Sequence, residues 1–149
     1  WISLKLHHVG IVVKNINESL GEIKQFLDFE KTTIPTLIGS QKVNTCFLKT
    51  GDIYIELIEP EGEDSPILNF VKKGGGFHHL CFEVENLSFA IDEIIKKGGR
   101  LIVSPVKGFE GRQIAFVFLN MKKTNFNLIE LVEIKNAWKF WDRNRYCRY

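Results

Sequence analysis

The sequence states one pattern twice. Leu6-His7-His8-Val9-Gly10-Ile11-Val12-Val13 returns as Phe77-His78-His79-Leu80-Cys81-Phe82-Glu83-Val84. About 50 residues after each copy comes a second echo, Tyr54-Ile55-Glu56-Leu57-Ile58-Glu59 and then Leu128-Ile129-Glu130-Leu131-Val132-Glu133. Aligning His8 on His79 sets a shift of 71, which also places Asn15 on Asn86, whereas Glu56 on Glu130 needs 74. The second copy therefore carries about three extra residues, which we place in the loop Lys107–Arg112, rich in Gly and charge. Two copies of this length exclude a solenoid and indicate a duplicated supersecondary module.

The same order of elements reads out of each copy. Lys5 to Val13 has a strand's β-branched density, and Asn15-Ile16-Asn17-Glu18-Ser19 then starts a helix. Its apolar face is expected from Leu20, Ile23, Phe26 and Leu27. Strands follow at Glu30 to Leu37, Val43 to Leu48 and Ile53 to Ile58. The second copy gives a strand from Phe77 to Val84 and a helix from about Ser88, with Leu87, Ile91, Ile94 and Ile95 on one side. Gly98-Gly99 stops that helix. Strands at Leu101 to Val103, Ile114 to Leu119 and Asn127 to Val132 complete it. Between the copies, Ser65 as N-cap and Pro66 at the first helical position predict a short linker helix ended by Gly74-Gly75-Gly76.

The predicted architecture is therefore α+β, a single domain over 1–149. It comprises two tandem βαβββ modules at about 5–60 and 77–133, a helical linker at 61–76 and a tail from 134. Neither module closes a core alone, so the two sheets are expected to curl into one shared open barrel. At 149 residues the chain is long enough for a real core, and 44% hydrophobic with 26% charged residues is ordinary globular composition. Lys and Arg number 20 against 18 Asp and Glu, a balance that offers nucleic acid or an anionic membrane no large field. No apolar run approaches a membrane span, and no signal peptide precedes the first strand. The opening at Trp1 rather than Met suits a chain from which an upstream piece was removed or left out. Cys46, Cys81 and Cys147 are scattered and odd in number, which favours a reducing cytoplasm over a disulfide framework.

Side chains alternate faces along a strand, so Glu56 and Glu59 point apart, as do Glu130 and Glu133, His7 and His8, and His78 and His79. A mid-strand acid framed by apolar residues must be paired or bound to a cation, which selects Glu56 and Glu130. One His and one Glu from each copy form a set that suits one divalent ion of Zn, Mn, Fe, Co or Ni type. Such a set leaves positions open for substrate, as Lewis-acid chemistry requires.

These residues resemble a family. His-aliphatic-Gly-aliphatic-x-Val opening a βαβββ unit, its second copy and the two Ile-Glu-Leu strands are similar to the vicinal oxygen chelate (glyoxalase/bleomycin resistance) superfamily, which includes glyoxalase I, methylmalonyl-CoA epimerase and extradiol dioxygenases. Leu6 to Val13, Ile55 to Pro60, Glu63 to Ile67 and Gly76 to Val84 look most like the epimerase branch. The resemblance implies His8, Glu56, His79 and Glu130 as metal ligands and an acyl thioester as the small-molecule substrate. It also implies proton abstraction α to the thioester carbonyl by a carboxylate at the start of the strand before the second ligand's. In this chain that position reads Ser40, within Gly39-Ser40-Gln41-Lys42-Val43. A hydroxyl is no substitute for a carboxylate base, so the proton transfer falls to a ligand acid, Glu130 or Glu56, as in the glyoxalase I branch.

Three functions follow as expectations: an epimerase-like isomerase, a lactoylglutathione-lyase-like enzyme, and a non-catalytic small-molecule binding protein of the same fold. Retention of all four ligands argues against the last. Nucleic acid and membrane are not expected partners, and a homodimer is. Lys107 and Arg112 are candidates for an anion-clamping lid, against the alternative of a plain connecting loop. Cys46 and Cys81, inside apolar strands, read as core filler. The tail from Lys135 combines five bases, one acid and five aromatics, a set that either grips a partner or packs on the barrel exterior or another subunit.

Overall fold

The computed structural model describes residues 2–134. The basic aromatic tail lies outside these residues, apart from Ile134 at its start. The order of elements is β1 (Lys5–Val12), α1 (Ile16–Ile23), β2 (Lys31–Thr32), β3 (Thr36–Ile38), β4 (Val43–Thr50), β5 (Ile53–Pro60) and α2 (Leu68–Lys72). It continues through β6 (Gly76–Val84), α3 (Leu87–Lys96), β7 (Arg100–Lys107), β8 (Gln113–Phe118) and β9 (Leu128–Glu133). The fold is α+β, as the alternation of elements predicts.

The strands join in one sheet rather than two, in the order β2-β4-β5-β1-β6-β9-β8-β7, with β3 also on β4. β1 runs parallel to β5 and β6 parallel to β9, while β1 and β6 meet antiparallel at the seam between the copies. The path ends at β2 and β7, so the sheet stays open. Its four central strands, β5, β1, β6 and β9, are the ones that bear the duplicated His and Glu motifs.

Alternation divides the apolar side chains between two layers. Leu57 packs with Ile16, Cys46 and Leu48 beneath α1, and Leu131 packs with Leu87, Ala90 and Ile91 beneath α3. Their neighbours Ile58 and Val132 belong to a third cluster that mixes both copies, with Val12, Val43, Ile114 and Phe116. That third cluster is what neither module could assemble alone.

α1 and α3 are each fixed at their start by two side chains repeated in both copies. Asn15 Oδ1 accepts from Glu18 N–H, and Asn86 Oδ1 from Phe89 N–H, both at 2.9 Å. Glu59 Oε2 accepts from Ile16 N–H at 2.7 Å, and Glu133 Oε1 from Leu87 N–H at 3.1 Å. A carboxylate there satisfies an orphan donor and meets the positive end of the helix dipole. The outer acid of each Glu doublet is thus a helix cap.

Four expectations need correction. The strand expected over Glu30 to Leu37 is split into β2 and β3, because Pro35 cannot donate to a ladder and confines pairing to either side. α1 stops at Ile23, leaving Phe26 82% exposed, so the expected apolar face is one turn too long. Ser65 does not cap the linker helix, which starts at Leu68 with Ile67 as N-cap; a turn over 62–68 buries Ile67 in the shared cluster instead. The extra residues of the second copy lie between β8 and β9. There Phe118 and Leu128 pair across a loop over 119–127, where β4 and β5 need only Gly51-Asp52.

Candidate metal centre

His8 on β1, Glu56 on β5, His79 on β6 and Glu130 on β9 converge, with ligand atoms all within 4.8 Å of one another. His8 Nε2 lies 3.0 Å from Glu130 Oε1 and 3.3 Å from Glu56 Oε1. His79 Nε2 lies 3.3 Å and 3.6 Å from the same two oxygens, and the two Nε2 atoms are 3.2 Å apart. None of the four residues is more than 4% exposed. Glu59 and Glu133 take no part, since they cap the helices.

Register explains the convergence. Gly10 pairs with Glu56 on one side and His79 on the other, while Cys81, its counterpart in the second copy, pairs with Glu130 and His8. β1 and β6 thus each bring their His beside the Glu of their own module and the His of the other.

The strands do not alternate strictly at the histidines. Along the β1–β6 seam, Leu6 pairs with Phe82 and His8 with Cys81, so His7 is a bulged residue; Gly10 pairs with His79 and Ile11 with Phe77, so His78 is another. A bulge cancels the usual reversal of faces. The rings of each doublet consequently meet, with Nδ1 of His7 2.8 Å from Nδ1 of His8, and Nδ1 of His78 2.7 Å from Nδ1 of His79. Strict alternation separates the members of each doublet and leaves His7 and His78 without a role. The signal available in the sequence is the doubling of His itself at the same place in both copies.

Electrostatics set the protonation of the set. Burial opposes charge on His8, but the Glu56 carboxylate and the close approach of Glu130 outweigh it and hold the pKa up at about 9. Burial would likewise raise Glu130, yet its contacts with His79 and His8 keep it well below the usual carboxylate range. His7 is lowered to about 4 by burial, then by His8 and Arg112; His78 is lowered to about 4 by burial and then His79.

The donor set fits a divalent cation. Two carboxylates and two imidazoles in a buried space carry a net negative charge that a divalent ion would neutralise. Glu130 Oε1 is buried with no donor aligned on it, although His8 Nε2 is only 3.0 Å away. Closeness without hydrogen-bond alignment is what lone pairs aimed at a common point produce. In the absence of a cation, a proton on His8 takes its place.

Three of the four, Glu56, His79 and Glu130, floor a cavity of about 240 Å³ walled by Val43, Ile58, Ile67, Val103, Phe116 and Leu128, with Ser40, Gln41, Thr45 and His78 as polar lining. The carboxylates that line it are Glu56 and Glu130. Ser40 stands at this cavity, and its Oγ donates to the Lys107 carbonyl at 2.6 Å, tying the β3–β4 turn to the second module. A second cavity, of about 150 Å³, reaches His7, Lys31, Tyr54 and Glu110 but none of the four converging residues.

The Lys107–Arg112 segment is not an anion clamp through Arg112. That guanidinium donates to the Glu133 carbonyl, lies 3.7 Å from Glu83 and stacks over Phe109 at 5.5 Å, with its side chain only 9% exposed. Phe109, 3% exposed, inserts beside His7 and His8 and makes this connection a wall of the centre. Cys81 and Cys46 are unpaired and buried, and burial raises both thiols, Cys81 well above the ordinary range.

The profile of the Glyoxalase/Bleomycin resistance protein/Dioxygenase superfamily matches residues 7–116, and the chain belongs to that superfamily. Mitochondrial methylmalonyl-CoA epimerase of Dictyostelium discoideum is 36% identical over 132 residues, covering 87% of this chain and 78% of that protein. Ethylmalonyl-CoA/methylmalonyl-CoA epimerase of Cereibacter sphaeroides is 33% identical over 134 residues, covering 87% and 98%. A Streptomyces coelicolor methylmalonyl-CoA epimerase variant, solved in complex with 2-nitronate-propionyl-CoA, superposes with a TM-score of 0.75 at 27% identity, covering 88% of this chain and 95% of that one. Within the superfamily the chain is therefore epimerase-like. Among the described residues no helix is long and apolar enough to cross a membrane.

Proposed function

We propose that the protein is a divalent-metal-dependent epimerase that exchanges the proton α to a thioester carbonyl, with methylmalonyl-CoA or a close relative as substrate. One observation carries this reading: a buried two-His, two-Glu set opens onto an apolar cavity through His79, Glu56 and Glu130, and its two acids are the carboxylates that line that cavity. The relatives named methylmalonyl-CoA epimerase, and the one solved with an acyl-CoA analogue, support the substrate class. About 240 Å³ suits a short branched acyl group and leaves the coenzyme portion outside the mouth.

His8, Glu56, His79 and Glu130 would hold the cation. A divalent ion bound there supplies a Lewis acid that steadies negative charge developing on the substrate's oxygens. The protein's own residues do the rest. Val43, Ile58, Phe116 and Leu128 exclude water from the reacting carbon, which strengthens every charge interaction around it. Glu130 takes the α-proton, with Glu56 facing it from across the histidine pair as the second carboxylate that a change of configuration can use. Ser40, its hydroxyl committed to Lys107, does not serve as base. The unpaired, buried Cys46 and Cys81 are those of a protein in a reducing compartment, and we place it in the cytoplasm.

The glyoxalase-like alternative uses the same residues on a hemithioacetal of glutathione. Assay of both in deuterated buffer separates them. Deuterium entering the α-carbon of methylmalonyl-CoA, and its loss in Glu130→Gln, is the expected result. Conversion of the hemithioacetal to a 2-hydroxyacyl thioester without exchange on acyl-CoA would replace this reading with the lyase.

A further inference from the structure

We propose that His7 and His78 are positioning residues, each accepting a hydrogen bond from Nδ1–H of the neighbouring centre histidine and so locking that ring with Nε2 free for the cation. The inference rests on the metal-centre reading above. It extends that reading to a pair of residues which touch neither the cation position nor each other.

Proton counting assigns the donor and the acceptor. A neutral imidazole has one N–H and one lone pair. His8 and His79 turn Nε2 inward, so each must carry its proton on Nδ1 if Nε2 is to donate a lone pair. Nδ1 of His8 faces Nδ1 of His7 at 2.8 Å, and Nδ1 of His79 faces Nδ1 of His78 at 2.7 Å. Two nitrogens at that distance share one proton, and its donor is already fixed as the inner ring. The outer ring therefore accepts at Nδ1 and keeps its own proton on Nε2. For His7 that Nε2–H faces Glu83 Oε1, 3.9 Å away, an oxygen that also lies 3.7 Å from Arg112 Nη1.

Both outer rings are built in, not incidental. Each is the extra residue of a β-bulge at the same repeat position, and only the bulge lets consecutive side chains meet. Each doublet has the same shape, with centroids 5.0 Å apart and planes at 80° and 82°. His7 is clamped on both faces, by Tyr54 at 5.3 Å and Phe109 at 5.0 Å. Duplicated placement of a ring acceptor behind each inner histidine is hard to account for unless orientation of that histidine matters.

The test compares two substitutions that differ only in the acceptor. His7→Phe keeps an aromatic ring between Tyr54 and Phe109 but cannot accept; His7→Gln offers an amide oxygen. Affinity of metal-stripped protein for Co(II) is measured by chelator competition and by the ligand-field absorption, alongside the thermal midpoint without metal. Weakening of about 10–100-fold in His7→Phe, with His7→Gln within about threefold of the parent, is expected. Should His7→Phe not fold, the matching His78→Phe and His78→Gln pair decides on the same criterion. Phe variants that bind Co(II) within about twofold of the parent, or Gln variants that weaken as far as the Phe ones, would overturn the proposal. A parent protein that retains no cation removes the metal-centre reading and this inference together. A parent that binds the cation but leaves the α-proton of acyl-CoA unexchanged contradicts only the proposed reaction.

Discussion

Gly10 lies directly beneath the His79 imidazole: a Cβ at residue 10 would come within 2.4 Å of His79 Cε1 and 2.6 Å of its Nδ1. The ring occupies the volume that any other side chain would need, and the seam between the copies holds the two strands in register so that it does. Gly10→Ala must therefore push His79 away from Glu56 and Glu130. We expect a loss of about 1–3 kcal/mol in stability from overpacking, together with cation affinity weakened at least about tenfold, as for other losses of ligand orientation. Chelator competition on the purified variant checks this, and unchanged affinity would mean that His79 is not held by its contact with Gly10.

The histidines make stability depend on pH in two opposite ways. His8 in the folded protein titrates at about 9, above its ordinary 6.5, so the stabilisation it contributes is complete below about 6.5 and is lost as pH rises toward 9. His7 and His78 titrate at about 4, below the ordinary value, so the unfolded chain gains protons first and stability is lost as pH falls from 6.5 toward 4. The metal-free thermal midpoint should therefore decline on both sides of roughly pH 6.5. Cation binding must displace the proton from His8, releasing about one proton per ion at pH 7.5. Calorimetry in two buffers of different ionisation enthalpy reads that number directly; identical heats would exclude the displacement.

The two acids of each doublet should separate by experiment. Glu59→Gln and Glu133→Gln weaken helix caps that accept from Ile16 and Leu87 N–H, for a cost of about 1 kcal/mol each and no change in cation content. Glu56→Gln should do the reverse, leaving the buried site with less negative charge and weaker cation binding. Denaturant unfolding and metal analysis on the same four proteins, parent included, decide the assignment.

Much of this is legible in the sequence because the repeat fixes partners as well as elements. Asn15 and Asn86 match at the shift that aligns His8 on His79, and both are N-caps. Glu56 and Glu130 stand out from their doublets because an apolar frame marks the buried face. What alternation misses is the exception to alternation: the bulges at His7 and His78 arise from the pairing between β1 and β6, a long-range relation that no local pattern encodes. Phe26 and Pro35 mislead for the opposite reason. Their apolar and β-branched surroundings continue a pattern after the backbone has stopped following it, in one case past the helix end and in the other across a residue with no N–H to pair. The charge of Arg112 alone suggests an anion ligand, and only packing against Phe109 and Glu83 shows it committed to the interior.

Whether His8, Glu56, His79 and Glu130 together hold one divalent cation decides everything else proposed for this protein. Metal analysis of purified parent, His79→Ala and Glu130→Gln proteins, each dialysed against the same limiting chelator, answers it. About one ion per parent chain and little or none in either variant is expected, since removing one ligand of four at a buried site leaves the remaining donors too few. Full metal content in the His79→Ala protein would contradict the assignment.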